Sequence, residues 1–414
     1  MGDFAIVVGL LLAALTVAVG IVGVVVARGT YDTWRRERSE ARFLLIRTLL
    51  KSERVPLSRS ALALYRSAPE VPDVSLLFTA GWLPTAPAQL DAVKVVLANN
   101  QPQPSVPRLR SGLWPISKAG RRYDTYSDAV AELDRPELFV NGISYRLLGV
   151  EADAAQWTLR VGNGRYFDYL DTGEALGYEF ATLRDGPGNA PKLSSLPARM
   201  GIGGPFDLHR RSATPGVNTL TIRNGFDGAT FFMHRRDSKK VAAAMGVYHV
   251  VPAGEFQPAG INPGDFGADM DLWRNMVREY AEEFLGLPDS IGSTGRTIDF
   301  DKDEPYASIS RARASGDATP FFLGIGIDPL TLKPEILTVC VFSDMAFDRI
   351  FGDMPEKNTE GRLVSGHRNL GVPFTQEGVD TYLKTASVET LPAGAGCLAL
   401  AWRWRGALRL VQRD

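Results

Sequence analysis

The sequence predicts an α+β sandwich carried behind an N-terminal transmembrane helix, and three observations say so. Residues 4–27, opening at Phe4 and closing at Ala27, run for 24 residues without a charged side chain. Much of the second half of the chain reads as short β-rich stretches broken by Asn-Gly and Asp-Gly turn signals. Among these strands stands one strongly amphipathic helix at residues 271–286, and a helix set among mainly antiparallel strands points to an α+β sandwich. With 414 residues, 45% hydrophobic and 22% charged, the chain is long enough for two or three globular units.

The apolar run is long enough, at about 1.5 Å per residue, to cross about 30 Å of hydrocarbon with some tilt. A cleaved signal peptide needs a shorter apolar region, a basic start and a small-residue exit. Here Asp3 is the only side-chain charge before the run and Arg28 closes it, which favours an uncleaved anchor. Arg28, Arg35, Arg36, Arg38, Arg42 and Arg47 all follow the span, and positive charge resists translocation, so the expectation is a single-pass cell-membrane protein whose C-terminal part is cytoplasmic. Tyr31 and Trp34 fall where amphipathic rings favour the headgroup layer. The stretch TWRRERSEARFLLIRTLLK then has helical spacing with basic side chains near anionic lipid, a helical stalk. Gly9 and Ala13 make a small-xxx-small pair through which two anchors would pack as a homo-oligomer, although small residues are common in such spans.

Charge and cysteine usage exclude several classes. With 46 Lys+Arg against 47 Asp+Glu there is no basic excess and no helix-turn-helix or zinc-finger spacing, so nucleic acid is set aside as a partner. Cys340 and Cys397 lie in apolar strand-like runs; two cysteines supply neither a zinc site nor a disulfide framework and fit a reducing compartment, one disulfide between them staying open.

Four units follow in order: the anchor at 1–30, the stalk and a mixed α/β region at 31–117, a β-rich region at 118–217 and a final domain at 218–414. In the second unit PAQLDAVKVVLANN reads as a helix, and QPQPSVPRLRSG, with three prolines, as a connector. ELFVNGISYRLLGV, QWTLRVGNGRYFDYL and NTLTIRNGFDGATFFMHR read as strands with turns. The Gly-Ile-Gly-Gly at residues 201–204 lacks the strand-turn-helix setting of a nucleotide fingerprint and reads as loop punctuation. VYHVVPA, FFLGIGI and EILTVCVF are strands around the helix. The closing CLALAWRWRGALRLV alternates Leu398, Leu400, Trp402 and Trp404 with Ala399, Ala401, Arg403 and Arg405, the pattern of a strand.

On the helix, Leu272, Trp273, Met276, Val277, Tyr280 and Phe284 fall on one arc that faces a core. Glu279, Glu282 and Glu283 stand at i, i+3 and i+4, so their carboxylates converge beside that arc, and hard oxygen ligands suit Mg²⁺ or Mn²⁺. A divalent ion, Arg278 or plain solvent would each relieve their repulsion, and most Glu-rich helix faces are simply wet. Arg278-Glu279-Tyr280-Ala281-Glu282-Glu283, followed closely by Gly286, resembles the Arg-Glu-apolar-x-Glu-Glu core of the Nudix box. The basic strand end FFMHRRDSKK and the strand and Gly turn VYHVVPAGEF before the helix agree with it over residues 218–414.

The resemblance implies a Nudix-like sandwich in which Glu279, Glu282 and Glu283 ligate the metal, with Glu282, Glu283 and Arg278 carrying catalysis. Metal ions neutralise phosphate oxygens and activate water, the chemistry that cleaving a nucleotide or nucleoside-diphosphate derivative needs. Arg235 and Arg236, with Lys239 and Lys240, would add contacts to the phosphates of a nucleotide-like ligand, or form a solvated hairpin tip. His249 reads as a core or lining residue, and the remaining histidines are too scattered to assign. The sequence departs from the family's box: Met270 stands where an early glutamate belongs if Gly264 opens the box. If Gly254 opens it, about ten residues are inserted before the helix, and Gly286 falls one place late. A membrane-anchored Nudix-type hydrolase is one expectation; a catalytically inactive nucleotide-binding sensor or interaction module at the membrane is the other.

Overall fold

The uncharged run and the basic stalk share one helix. In the computed structural model α1 spans Gly2–Ser52 without interruption. The structure describes residues 2–65, 71–99, 101, 113–137, 139–153, 155–184, 186, 189–236, 246–260, 265–288, 298–355, 361–364 and 370–411. Most side chains before residue 26 are not among those described, so the anchor expected over residues 4–27 lies largely outside the described residues. Among the described residues no helix is long and apolar enough to cross a membrane.

The far end of α1 is bolted to the globular part. Phe43 and Leu50 are buried in a cluster with α3 (Tyr126–Leu133) and α4 (Ala175–Leu183). Arg47 donates to Asp134 at 2.6 Å and to the Tyr126 hydroxyl at 2.7 Å. After one residue α2 (Arg54–Leu62) follows.

Thirteen strands form three sheets among the described residues. A seven-stranded sheet runs β1 (Ala88–Gln89), β10 (Ala318–Ile327), β11 (Pro334–Ser343), β5 (Gly216–Gly225), β6 (Gly228–Phe231) and β13 (Val372–Pro373), with β9 (Ala253–Glu255) also on β5. The β11–β5 pair is parallel and the others antiparallel. The second sheet is β12 (Gly361–Val364), β7 (Met233–Arg236) and β8 (Tyr248–Val250); the third is β2 (Val93–Leu97), β4 (Gln156–Arg165) and β3 (Ile143–Asp153). This is the α+β class the sequence predicts.

The main sheet is covered on both faces, as alternation along its strands dictates. Val217, Ile336, Cys340 and Phe342 pack with α5 (Leu272–Glu283), whose arc of Leu272, Trp273, Met276, Val277 and Tyr280 is buried as its spacing requires. Leu220, Ile222, Leu337, Val339 and Val341 pack with α9 (Pro392–Arg403). Helices α6 (Tyr306–Ala314), α7 (Asp344–Phe351) and α8 (Gln376–Leu383) complete the layers. Both cysteines are free and buried.

Three sequence expectations need correction. The closing segment is a helix, not a strand: Pro392 opens it at N1, and the small residues Ala393, Gly394, Ala395 and Gly396 let it approach the sheet so closely that Cys397 Sγ lies 3.3 Å from the Asn218 carbonyl. Its apolar alternation is real, but the core on this side wraps most of the helix circumference. Conversely, the helix expected in PAQLDAVKVVLANN gives way to β1, a 3-10 turn at Leu90–Ala92 and strand β2, because Val93, Val95 and Val96 are β-branched and β4 offers a parallel partner. The region expected to be β-rich at 118–217 holds the β3–β4 hairpin but also α3 and α4, and its Gly-Asn-Gly at residues 162–164 lies inside β4 rather than at a turn. The connector after Gln101 and the basic tip after Arg236 lie outside the described residues.

Candidate functional site

The glutamates of α5 meet the backbone of the Val-Pro-Ala-Gly-Glu turn. Side chains four residues apart on one helix face contact successive residues of β9. Glu283, 5% exposed, accepts the Ala253 N–H at 2.8 Å. Glu279 lies over Gly254, where a Cβ atom would meet its Oε1 at 2.0 Å. Asn275, fully buried, donates to the Glu255 carbonyl at 3.0 Å. Beyond β9, Arg278 donates to the Gln257 carbonyl at 2.5 Å, and Asp269 accepts the Ala259 N–H at 2.8 Å. The helix and the turn therefore zip together in opposite chain directions, over a loop of about ten inserted residues.

The departures noted in the sequence have structural counterparts. Gly254 faces Glu279, and room for a carboxylate rather than a left-handed backbone is what it provides, while Gly264, the other candidate start of the box, lies outside the described residues. Asp271 N-caps the helix through the Arg274 N–H at 2.9 Å, while Asp269 pins the inserted loop. Met270 packs part-buried on the core where the early glutamate was sought. Gly286 adopts φ +68°, and Leu287 N–H reaches the Ala281 carbonyl at 3.1 Å, so this glycine ends the helix in a left-handed cap.

Of the predicted site residues, Arg278, Glu279 and Glu283 gather at β9, and Glu282 is half-buried on the same helix. Arg235 and Arg236 end β7: Arg235 leans over the Tyr248 ring at 5.9 Å, and Arg236 pairs in register with Gly361 of β12. His249 is buried, in keeping with a core or lining residue, whereas His234, equally buried, had no assignment from the sequence. Register places His234 on β7 opposite His249 on β8, and His234 Nδ1 stands 3.7 Å from Glu283 Oε2. Burial, with Arg236 and His234 nearby, holds His249 well below the usual imidazole range, so it is neutral. Each occupies the second position of its strand, but only the pairing reveals that they meet.

Three oxygen ligands on one ion would need carboxylates converging on a point. Among the described residues no group of three or more His, Cys, Asp or Glu side chains is arranged to hold a metal ion, and Glu283 already accepts a backbone N–H. As placed, these residues do not form a ready metal cage. An open groove of about 1020 Å³ lies at the other end of α5, lined by Asp91, Trp273, Arg274, Phe300, Arg313 and Thr319, away from the glutamates.

The opposite side of β9 carries a second polar assembly. Glu255 accepts from Lys333 at 3.2 Å, and Asn218 donates to Glu335 at 2.9 Å. Arg54 of α2 reaches Glu174 at 2.9 Å and Asp328 at 3.7 Å, and Ser58 donates to Asp328 at 2.9 Å. Arg199, 1% exposed, donates to the carbonyls of Pro329 and Leu330 and to the Tyr65 hydroxyl. Burial raises the Glu335 carboxyl to about 7 against the pull of Lys333 and Asn218.

Fold and site together define an α+β sandwich with an acidic helix clamped on a Gly-containing turn. No family model matches the chain, and no curated protein matches it. Among solved structures, the crystal structure of a NUDIX hydrolase from Alicyclobacillus acidocaldarius aligns over 49% of this chain and 97% of its own, at 15% identity and a TM-score of 0.27, too loose a superposition to carry an argument.

Proposed function

We propose that this chain is a membrane-tethered Nudix-type hydrolase of a nucleotide or nucleoside-diphosphate derivative. The observation that carries the reading is the seating of α5 on β9: the helix bearing the Arg-Glu-x-x-Glu-Glu pattern closes on the one Gly-containing turn that the same resemblance requires, across an insertion that sequence spacing alone does not bridge. Six described aliphatic side chains of α1, from Val17 to Val26, are 58–67% exposed and fall on opposite sides of the helix, which supports the anchor. Mg²⁺ enters as the ion the resemblance implies.

The test is release of phosphate or nucleotide by the purified full chain across a nucleotide panel, with and without Mg²⁺ or Mn²⁺. Glu282→Gln should lower turnover by about 10²-fold or more, if removing its charge disables metal-assisted hydrolysis. Release unchanged in that variant defeats the hydrolase assignment.

A second reading has its own observation. Glu283 and Asn275 bond the turn, as a structural clamp would, and no ready metal cage accompanies them among the described residues. The same scaffold is then a catalytically silent nucleotide sensor or interaction module. Calorimetric nucleotide binding with no turnover would favour it.

A further inference from the structure

The exposed part of α1 sorts its charges by face. At about 100° per residue, Tyr31, Trp34, Arg35, Arg38, Arg42 and Leu45 fall within about 60° of one line along the helix. Asp32, Glu37 and Glu40 lie about 100°, 120° and 180° away from Tyr31. The off-stripe Arg36 meets Glu40 at 3.6 Å. On the stripe itself, Arg35 sits over the Tyr31 ring at 5.7 Å and Arg38 over Trp34 at 5.2 Å, while the two rings stack with centroids 6.0 Å apart. Tyr31, Trp34 and Leu45 are 56%, 50% and 65% exposed. Phe43, Arg47 and Leu50, which fix α1 to the globular part, leave the helix on another side.

We propose that this stripe is a docking surface for an anionic lipid leaflet, and that it sets the direction in which α1 leans. The inference rests on the anchor reading above. The order of chemistry along the helix matches a leaflet in cross-section: exposed aliphatic residues up to Val26, then the aromatic pair, then arginines. Arg38 lies about 16 Å along the axis from Ala27, at the outer edge of the roughly 13–16 Å that a headgroup layer and a screening length of about 8 Å span together. Arg42, about 22 Å along, lies beyond that zone; a lean toward the stripe, about 20° being average for a span, lowers its helix position only to about 21 Å but swings its long side chain toward the headgroups. Because α1 is unbroken into its buried end, a lean chosen by the arginines orients the whole globular part over the membrane.

The experiment uses the full chain with Leu45→Cys labelled by a fluorophore, which is selective because Cys340 and Cys397 are buried. It is reconstituted in vesicles of phosphatidylcholine alone or with phosphatidylserine, and quenching by a headgroup-attached quencher is read. Phosphatidylserine should raise quenching several-fold, with the rise abolished by added salt and by the combined Arg35→Glu, Arg38→Glu, Arg42→Glu variant. Equal quenching in both lipids, or a rise that survives the triple variant, overturns the proposal while flotation with the vesicles still upholds the anchor. Failure to float with either vesicle removes the anchor and this proposal together. A label response to a soluble polyanion but not to phosphatidylserine assigns the stripe to an acidic macromolecule and overturns the lipid assignment.

Discussion

Strand β9 separates two charged regions that are built on opposite principles. On the α5 side, Glu283 and Asn275 bond the backbone of the strand and its turn, contacts drawn from one helix face with a four-residue repeat. On the other side, Glu255, Lys333, Glu174, Arg54 and Asp328 meet side chain to side chain, across sequence separations of 78, 120 and 274 residues. The first region clamps a helix to a turn; the second ties the stalk helices to the sheet. What the contrast teaches is that acidic residues in this chain act as structural acceptors as readily as candidate ligands. Only a functional readout separates those roles.

The sharpest way to break the contrast is to open the ion network. Arg54, 9% exposed, is the cation between Glu174 and Asp328. Arg54→Ala leaves two buried carboxylates facing each other and should lower stability by about 3–5 kcal/mol. Chemical denaturation of the full chain in detergent measures it. If β9 is a divider, hydrogen exchange at the Ala253 N–H should follow the global loss only. Selective loosening of that amide would show instead that the stalk and the α5 clamp form one unit.

The two regions were also unequally legible. The apolar arc and the acidic face could be read because a helix makes neighbours of residues three and four apart. Strands β5, β8, β10 and β11 were legible from apolar and β-branched runs. The network around Arg54 was not, since nothing local joins Arg54 to Asp328 or Lys333 to Glu255. The same holds for His234 and His249, which meet through strand register. The closing helix was misread because Leu398, Leu400 and Ala401 are all buried, and a helix enclosed on most sides loses the amphipathic period that would announce it.

A smaller effect should separate the regions by pH. Glu335 has a folded pKa of about 7, raised above its unfolded value by burial, with Lys333 and Asn218 its facing partners and Asp328 and Arg54 beyond them. Below about pH 4.5 the carboxyl is protonated in both states and adds nothing. As pH rises toward 7 the unfolded chain releases the proton first, so stability falls, by about 2 kcal/mol after discounting for partial exposure. Above 7 the loss is complete and constant. Glu335→Gln should remove that slope, and denaturation midpoints at pH 5 and 8 check it. An unchanged slope would place the pH dependence elsewhere in the network.

The smallest change in stability is expected at Gly254, and there the two candidate roles of the α5 glutamates part. A methyl group at this position would come within 2.0–2.4 Å of the Glu279 carboxylate. That carboxylate is the end of a flexible side chain, so it can swing aside, and Gly254→Ala should lower stability by under about 1 kcal/mol. Yet it displaces one of three acids that the hydrolase reading needs in register, and misplacement by an ångström can cost about 10²-fold in rate. Turnover falling far more than stability would mark Glu279 as a working ligand. A stability loss with nucleotide binding intact would mark it as part of the clamp, a structural role like that of the charges on the opposite side of β9.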